Sequence, residues 1–281
     1  MRRCSVRRTD GPTRLRSEPM SDILKISRES RVLRLSLNRP EKRNALSTQL
    51  CRELVESLEA AFHDPAVGAI LLCGNGKHFC AGMDLGEVAT EPAPGSREAE
   101  ISTIHEQLFT IGARAEKPIV AAVTGASLGG GMGLVGNCHI VVAHPEASFG
   151  LTEIHVGLWP FFVFRALTLG LGERRVLGLA LTGRVFAAPE AREMGFVQEI
   201  ATDPQTRAAE IARTLSEFSP VTIRAGLGFA REVRGQDWIT AGQIARRTRD
   251  EIFQTPDFAE GIHAFREKRA AHWPSLHKEA D

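Results

Sequence analysis

Glu153 carries the side chain best placed in the sequence for proton transfer. It lies in an apolar stretch between Leu151 and Val156, and Trp159 and three phenylalanines follow. Burial among such residues raises a carboxylate pKa toward the range of a general acid or base. A salt bridge, or a cap for the helix that follows, would use the same residue equally well. His155 lies two positions further along this segment, which is predicted to be extended.

Two glycine-containing turns, residues 76–85 and 125–131, are placed to present backbone N–H groups to a ligand. Each follows a continuous apolar run, 69–73 or 119–123, of the kind that forms a buried strand. Glycine allows positive φ and close approach of a ligand, and the second turn opens a helix whose dipole favours negative charge. One N–H group from each turn could form an oxyanion hole, although tight packing turns would leave the same pattern. Neither turn matches a nucleotide-binding motif.

Ser127 raises a competing hypothesis, a serine hydrolase. It is the central residue of Gly125–Gly129, which matches G-x-S-x-G between a predicted strand and a predicted helix. Asp237 or Asp257, together with His263, could complete a catalytic triad. The upstream oxyanion segment of that class is absent, and too few strands precede or follow the serine. The hydrolase is therefore the less favoured interpretation.

The elements that would hold these turns alternate between strand and helix. Alternating apolar and polar residues predict strands at 23–26 and 32–37, and apolar runs predict buried parallel strands at 69–73, 119–123 and 140–143. Ser47 is expected to cap a helix that ends before Asp64, and another helix is predicted around 99–115. Strands that alternate with helices indicate βα units around a parallel sheet.

The chain beyond Pro189 becomes helical, apart from a short strand predicted at 197–200. Amphipathic helices are predicted at 207–218, 221–233, 238–253 and 258–268. Residues 1–20 differ again, with six arginines against two acidic residues. They are expected to be a disordered tail or an over-long translation start, with an organelle transit peptide as the alternative. The predicted organisation is a basic tail (1–20), a core (21–200) and a helical region (201–281).

The composition of the 281 residues excludes several classes of protein. Thirty-five Lys and Arg oppose 34 Asp and Glu, so the net charge of +1 gives no field to attract nucleic acid. No apolar run approaches the roughly 20 residues of a membrane span. Five cysteines without a C-x-x-C pair indicate reduced thiols and a cytoplasmic location, and no Cys/His cluster has the spacing of a metal site.

Five motifs, in order along residues 23–269, resemble the crotonase superfamily, also called the enoyl-CoA hydratase/isomerase family. They are Leu37–Leu46 (LNRPEKRNAL), Phe79–Leu85 (FCAGMDL), Lys117–Gly131 (KPIVAAV and the glycine turn), Ser148–Glu153 (SFGLTE) and Leu181–Arg184 (LTGR). The resemblance implies an α/β fold, a crotonase-like spiral of ββα turns with a helical C-terminal trimerisation region. It also implies an acyl-CoA thioester as substrate and a homotrimer or hexamer. No metal or redox cofactor is implied, because coenzyme A is part of the substrate.

The same resemblance implies roles for individual residues. The backbone N–H groups of Met83 and Gly130 would form the oxyanion hole, and Glu153 would be the catalytic acid/base. Ser127 would then only shape its turn. The residues implied in substrate binding are Lys42 and Arg43, near the phosphates of coenzyme A, with Ala45, Ala81, Asp84, Leu85, Gly129, Trp159 and Phe162.

One departure from the family pattern bears on the reaction. Family hydratases carry two glutamates, and the first would fall at Gly133, which has no side chain. Hydration needs water activated at C3 and a proton delivered to C2, whereas moving a double bond from the 3,4 to the 2,3 position needs only one base. The sequence therefore favours an isomerase-type proton shuttle by Glu153. A non-catalytic acyl-CoA-binding protein is the alternative.

A second departure is the aromatic segment Leu158–Phe164, where the family usually has a glycine-rich loop. Its rings could line a tight apolar acyl pocket, or they could pack the following helix against the core. Only the first arrangement would make this segment part of a site.

Overall fold

The structure, a computed structural model, describes residues 22–87 and 96–276, with side chains for all of these except 96–100. The predicted basic tail at 1–20 lies outside these ranges. None of the described helices is long and apolar enough to cross a membrane.

Nine strands form two sheets in the described chain. They are β1 (Leu24–Glu29), β2 (Val32–Leu37), β3 (Ala69–Gly74), β4 (Ile119–Val123), β5 (Ala126–Leu128), β6 (Ile140–Ala143), β7 (Ser148–Gly150), β8 (Val185–Ala187) and β9 (Glu199–Ile200). The larger sheet has the order β1-β2-β3-β4-β6-β9 and is parallel from β2 onward; the smaller has the order β5-β7-β8. The prediction of buried parallel strands is confirmed. Both glycine turns therefore begin at the carboxyl edge of the larger sheet.

The structure differs from the prediction in two places, the first hairpin and the smaller sheet. Strand β1 continues to Glu29, past the predicted end at Ile26, because it stays in antiparallel register with β2 as far as the Glu29–Val32 pair. The three strands of the smaller sheet were not predicted, since three residues each are too few to show a period. Leu128 of β5 pairs with Gly150 of β7, which brings the second glycine turn beside the segment that carries Glu153.

Ten helices accompany the sheets in the described ranges. They are α1 (Thr48–His63), α2 (Ser96–Phe109), α3 (Gly130–Gly136), α4 (Phe161–Leu171), α5 (Glu173–Thr182), α6 (Ala188–Glu193), α7 (Pro204–Ser216), α8 (Pro220–Glu232), α9 (Trp238–Phe253) and α10 (Pro256–Glu267). The four predicted C-terminal helices are all present. Three of them begin slightly earlier than predicted, at prolines that follow the capping residues Asp203, Ser219 and Thr255.

The helix predicted around 99–115 ends at Phe109, and the side chain of Asn137 explains why. Its amide nitrogen donates to the carbonyls of Phe109 and Gly133, and its oxygen accepts from the Gly112 N–H. A short 3-10 helix, Ile111–Ala113, follows. The end of α2 is therefore tied by hydrogen bonds to α3.

Helices α1 and α7 cover opposite faces of the larger sheet. The Ser47 hydroxyl accepts from the Leu50 N–H and caps α1, as predicted. Leu50 and Leu54 of α1 are buried in the main core, whereas Ala208 and Ala212 of α7 pack on the other face. Because both faces of β3 and β4 are covered, their sequences are continuous apolar runs.

Candidate active site

A cavity of about 150 Å³ lies where the two glycine turns meet α2 and the start of α4. Its lining includes both turns, the side chains of Glu153 and His105, and a set of apolar residues. The apolar set comprises Leu46, Leu85, Phe109, Val156, Leu158, Trp159, Pro160, Phe161, Phe162 and Val163. Glu153 and His105 are the titratable side chains among the described lining residues. A few polar groups in apolar surroundings are typical of a small-molecule site.

Backbone hydrogen bonds hold the two turns together. The Cys80 N–H donates to the Ala126 carbonyl (3.1 Å), and the Leu128 N–H donates to the Cys80 carbonyl (3.0 Å). On its other side the first turn is held by the Leu46 N–H, which donates to the Gly82 carbonyl (2.8 Å). One strand-like bridge, between Cys80 and Ser127, thus fixes the first turn against the second, and another joins Met83 of the first turn to Leu46.

Met83 and Gly130 both line the cavity, and their backbone N–H groups have no acceptor among the described residues. Gly82, at φ +95°, lies so close to the second turn that a β-carbon would be 2.9 Å from the Leu128 carbonyl oxygen and 3.4 Å from the Gly130 nitrogen. Glycine is required at position 82 for this approach. Two free donors from separate turns can stabilise a ligand oxygen that gains negative charge.

Glu153 begins a 3-10 helix, Glu153–Val156, that follows β7. Its Oε2 is buried and has no hydrogen-bond partner among the described residues, so the salt bridge that the sequence left open is not formed there. Burial raises the pKa of Glu153, and a hydrogen bond from its own backbone N–H opposes this shift. Gly129, at φ +51°, leaves room for the carboxylate, because a β-carbon there would lie 3.1 Å from Oε1.

The segment that carries Glu153 is a helical turn, and the prediction of an extended segment is wrong. Gly157, at φ +73°, reverses the chain so that the Leu158 N–H donates to the Glu153 carbonyl (3.1 Å). His155 lies outside the cavity lining, with its Nε2 3.1 Å from the Gly183 carbonyl oxygen. This histidine therefore does not assist Glu153.

The structure does not assemble the triad of the hydrolase hypothesis. Ser127 is fully buried, lies outside the cavity lining, and its hydroxyl has no partner among the described residues. His263 is paired with Glu267 on the surface of α10. Asp237 caps α9, and Asp257 accepts hydrogen bonds from two serine hydroxyl groups. No described histidine is placed to activate the serine, which instead forms part of β5.

The residues predicted to bind substrate fall into two groups. Those that line the cavity are Ala81, Leu85, Gly129, Trp159 and Phe162. Those outside its lining are Lys42, Arg43, Ala45 and Asp84. The aromatic segment 158–164 thus contributes residues both to the cavity lining and to α4, so the two arrangements that the sequence left open occur together.

Hydrogen bonds from Arg39 hold two of the residues outside the lining, Ala45 and Asp84. The Arg39 guanidinium donates to the Asp84 carboxylate (2.8 Å) and to the Ala45 carbonyl (2.6 Å), and it lowers the pKa of Asp84. The Arg43 carbonyl accepts from the Ala81 N–H (3.0 Å), so the loop is joined to the first glycine turn. Lys42 and Arg43 are exposed beside the site rather than within the cavity.

The place beside Gly133 is occupied. A β-carbon at this position would lie 2.8 Å from Cβ of Val163 and 3.1 Å from Cδ1 of Phe109, so a glutamate has no room there. His105, one helical turn before Phe109 on α2, lines the cavity and was missed by the sequence analysis. The available signal was a histidine between Ile104 and Leu108 on the apolar face of a predicted helix.

The fold defines the class of protein. The enoyl-CoA hydratase of Bacillus anthracis superimposes with a TM-score of 0.84 at 28% identity, over 90% of this chain and 99% of that chain. The enoyl-CoA hydratase of Mycobacterium smegmatis gives a TM-score of 0.83, also at 28% identity, with the same coverage. The predicted crotonase-like α/β fold is confirmed.

The chain belongs to the enoyl-CoA hydratase/isomerase family, whose sequence model matches residues 27–276. It is 34% identical to enoyl-CoA hydratase EchA19 of Mycobacterium tuberculosis over 250 residues, 87% of this chain and 94% of that protein. It is 34% identical to 2,3-dehydroadipyl-CoA hydratase of Escherichia coli over 89% of this chain and 97% of that protein. It is 36% identical to hydroxycinnamoyl-CoA hydratase-lyase of Pseudomonas fluorescens over 76% and 80%. These relationships support an acyl-CoA-processing enzyme of the crotonase type.

Proposed function

We propose that this chain converts an enoyl-CoA thioester through an enolate, with the N–H groups of Met83 and Gly130 holding the thioester oxygen and Glu153 moving protons. The observation that carries the proposal is that three residues lining one cavity each have an unsatisfied polar group. Two are backbone donors without acceptors, and the third is the buried Oε2 of Glu153 without a donor. Substrate would supply the partner that each group lacks.

The two donors favour the transition state more than the bound substrate. When a proton leaves or reaches C2, electron density moves onto the thioester oxygen, and hydrogen bonds to that oxygen strengthen as its charge grows. One such donor is typically worth about 3 kcal/mol of barrier. Since both donors belong to the backbone, the side chain at position 83 is free to vary.

Glu153 suits proton exchange at the carbon next to the thioester. Its raised pKa makes it a stronger base than an exposed glutamate when ionised, and it keeps the carboxyl group nearer to the working pH. With this residue alone, the simplest reaction is isomerisation of a 3-enoyl to a 2-enoyl thioester. The preference for isomerisation stays a prediction from the missing glutamate at 133.

Hydration is the second candidate reaction, and one feature of the cavity favours it. Hydration needs either one carboxylate for both proton transfers or a second proton-transfer group, and His105 supplies a titratable side chain in the same lining as Glu153. The relatives named above are hydratases or a hydratase-lyase. Both candidate reactions use the same enolate and the same glutamate.

Coenzyme A and a multimer complete the proposal. The exposed cations of Lys42 and Arg43, beside the first glycine turn, are suited to phosphate groups outside the acyl cavity. A trimer or hexamer would cover apolar side chains of the C-terminal helices, among them Trp238 (94% exposed) and Phe265 (83% exposed).

A panel of 2-enoyl-CoA and 3-enoyl-CoA thioesters of different chain lengths, followed by product identification, tests the function. Conversion of 3-enoyl to 2-enoyl thioesters demonstrates isomerisation, and formation of 3-hydroxyacyl-CoA from 2-enoyl thioesters demonstrates hydration. Binding of acyl-CoA without either conversion would contradict the enzyme proposal and support the non-catalytic alternative.

A further inference from the structure

His105 is a buried histidine whose ring is held in place by other aromatic rings. It is 8% exposed, and its ring centroid lies 6.1 Å from those of both Phe109 and Phe162. Neither ring nitrogen hydrogen-bonds to any residue of the described chain, although the side chain lines the cavity. A buried imidazole without protein partners has nitrogens available to substrate or water.

His105 lies one helical turn from a residue that fills the space beside Gly133, where the family glutamate is missing. Phe109 Cδ1 is among the atoms that fill the space beside Gly133, and His105 precedes Phe109 by one helical turn on the same face of α2. The polar group is therefore supplied from α2 instead of α3. His105 lines the same cavity as Glu153.

We propose that His105 is the second proton-transfer residue of this site and makes it a hydratase of 2-enoyl-CoA thioesters. The inference rests on the proposed function, because it needs the enolate and Glu153. In this site, one carboxyl group and one imidazole would take the place of the two glutamates of the family hydratases.

The proton balance of hydration is complete with these two groups. Neutral His105 takes a proton from water as the water oxygen forms a bond to C3, and the C2–C3 π pair moves to C2 and the thioester oxygen. Protonated Glu153 then gives its proton to C2, and the carbonyl is restored. The imidazolium and carboxylate that result regain their starting states by proton exchange with solvent.

The electrostatic surroundings of His105 suit the neutral imidazole. Burial lowers its pKa, and the negative charge of Glu87 opposes that shift. The rings packed against it, Phe109 of its own helix and Phe162 of α4, carry no charge. Glu153, in the same cavity, has a raised pKa for the same physical reason. The pH profile of hydration should fall in acid as His105 is protonated.

The experiment compares H105Q with E153Q and with H63Q, a control that changes an exposed histidine at the end of α1 outside the cavity lining. Two reactions are measured for each variant: hydration of a 2-enoyl-CoA across pH, and exchange of the C2 protons of a saturated acyl-CoA in D₂O. The exchange needs only the enolate and Glu153. It therefore reports on the proposed function separately, and it shows that H105Q and H63Q are folded.

H105Q is expected to lose at least ~100-fold in kcat for hydration, with a much smaller change in KM. It should also lose the acidic limb of the pH profile and keep C2-proton exchange, while H63Q matches the unmodified chain in both reactions. Hydration by H105Q at an unchanged rate and with an unchanged pH profile would overturn the inference. So would loss of both reactions in H105Q, because His105 would then serve the enolate or the fold. Persistent exchange in E153Q would contradict the proposed function itself.

Discussion

The two walls of the cavity are built by different means. One, the amide wall, consists of Gly82, Met83, Gly129 and Gly130, with the Glu153 carboxylate next to Gly129. The other, the aromatic wall, consists of residues 158–163 with His105 and Phe109. The amide wall offers backbone groups fixed by hydrogen bonds between turns, whereas the aromatic wall offers side chains, of which Phe161 and Phe162 are 71% and 41% exposed.

Under the proposed function, the amide wall would carry out the reaction step and the aromatic wall would select the acyl group. Backbone donors keep their position whatever side chain they carry, so the amide wall can serve one reaction step on many substrates. The aromatic wall can change acyl preference by substitution without moving those donors. It also holds His105, so the two walls together would supply the two proton-transfer groups of hydration.

The largest effect is expected at the acid of the amide wall. E153Q should keep CoA-thioester binding nearly intact and lower turnover at least ~100-fold, because an amide cannot accept and return the proton. Steady-state kinetics on the best substrate of the panel, with direct binding of a saturated acyl-CoA, measures both quantities. Unchanged turnover would remove Glu153 from the mechanism.

Two neighbouring substitutions test whether the amide wall works through its backbone. G82A places a methyl group 2.9 Å from the Leu128 carbonyl oxygen at a positive φ, so it should separate the turns and lower kcat on the order of 100-fold. M83A changes only a side chain beside the donor and should keep kcat within about threefold of the original. Equal losses in both variants would mean that the side chain of Met83, and not its amide, does the work.

A smaller effect is expected on the aromatic wall. F162A removes a ring that is partly exposed in the cavity, so it should raise KM for the acyl group by about fivefold, with a lesser change in kcat. The ratio of KM values for long and short acyl chains reports the change. A loss of kcat as large as that of G82A would show that this wall also positions the reacting atoms.

The smallest effect concerns stability. Burial raises the pKa of Glu153 in the folded state, so the carboxylate destabilises the fold once pH rises through that value. E153Q should therefore raise Tm by a few degrees at pH 8, and the gain should vanish near pH 3, where the carboxyl group is protonated in both the folded and the unfolded state. Thermal unfolding at the two pH values measures it. A Tm gain that is equal at both would assign the effect to packing.

The two walls also differ in how well the sequence predicted them. Apolar runs and glycine spacing predicted the parallel strands and both turns, because each is a local pattern. The resemblance added the roles of Met83, Gly130 and Glu153, which the geometry supports but which stay proposals. The apolar strands predicted the parallel sheet correctly, and the family resemblance predicted the crotonase-like fold.

The segment 158–164 of the aromatic wall was offered as a possible pocket lining, but the contribution of His105 could not be predicted, since this wall is assembled from distant segments. The end of α2 depends on hydrogen bonds from Asn137, a residue 28 positions after Phe109. That contact sets where His105 meets the cavity, and no periodicity in α2 reveals it. The turn that contains Glu153 likewise depends on Gly157, so the expectation of an extended segment failed.

A crystal structure with a saturated acyl-CoA, which cannot be hydrated or isomerised, tests the central claim most directly. The account predicts that the thioester oxygen lies about 2.7–3.1 Å from the backbone nitrogens of both Met83 and Gly130, with C2 facing the carboxyl group of Glu153. A thioester oxygen bound away from either nitrogen, or a C2 atom out of reach of Glu153, would contradict it.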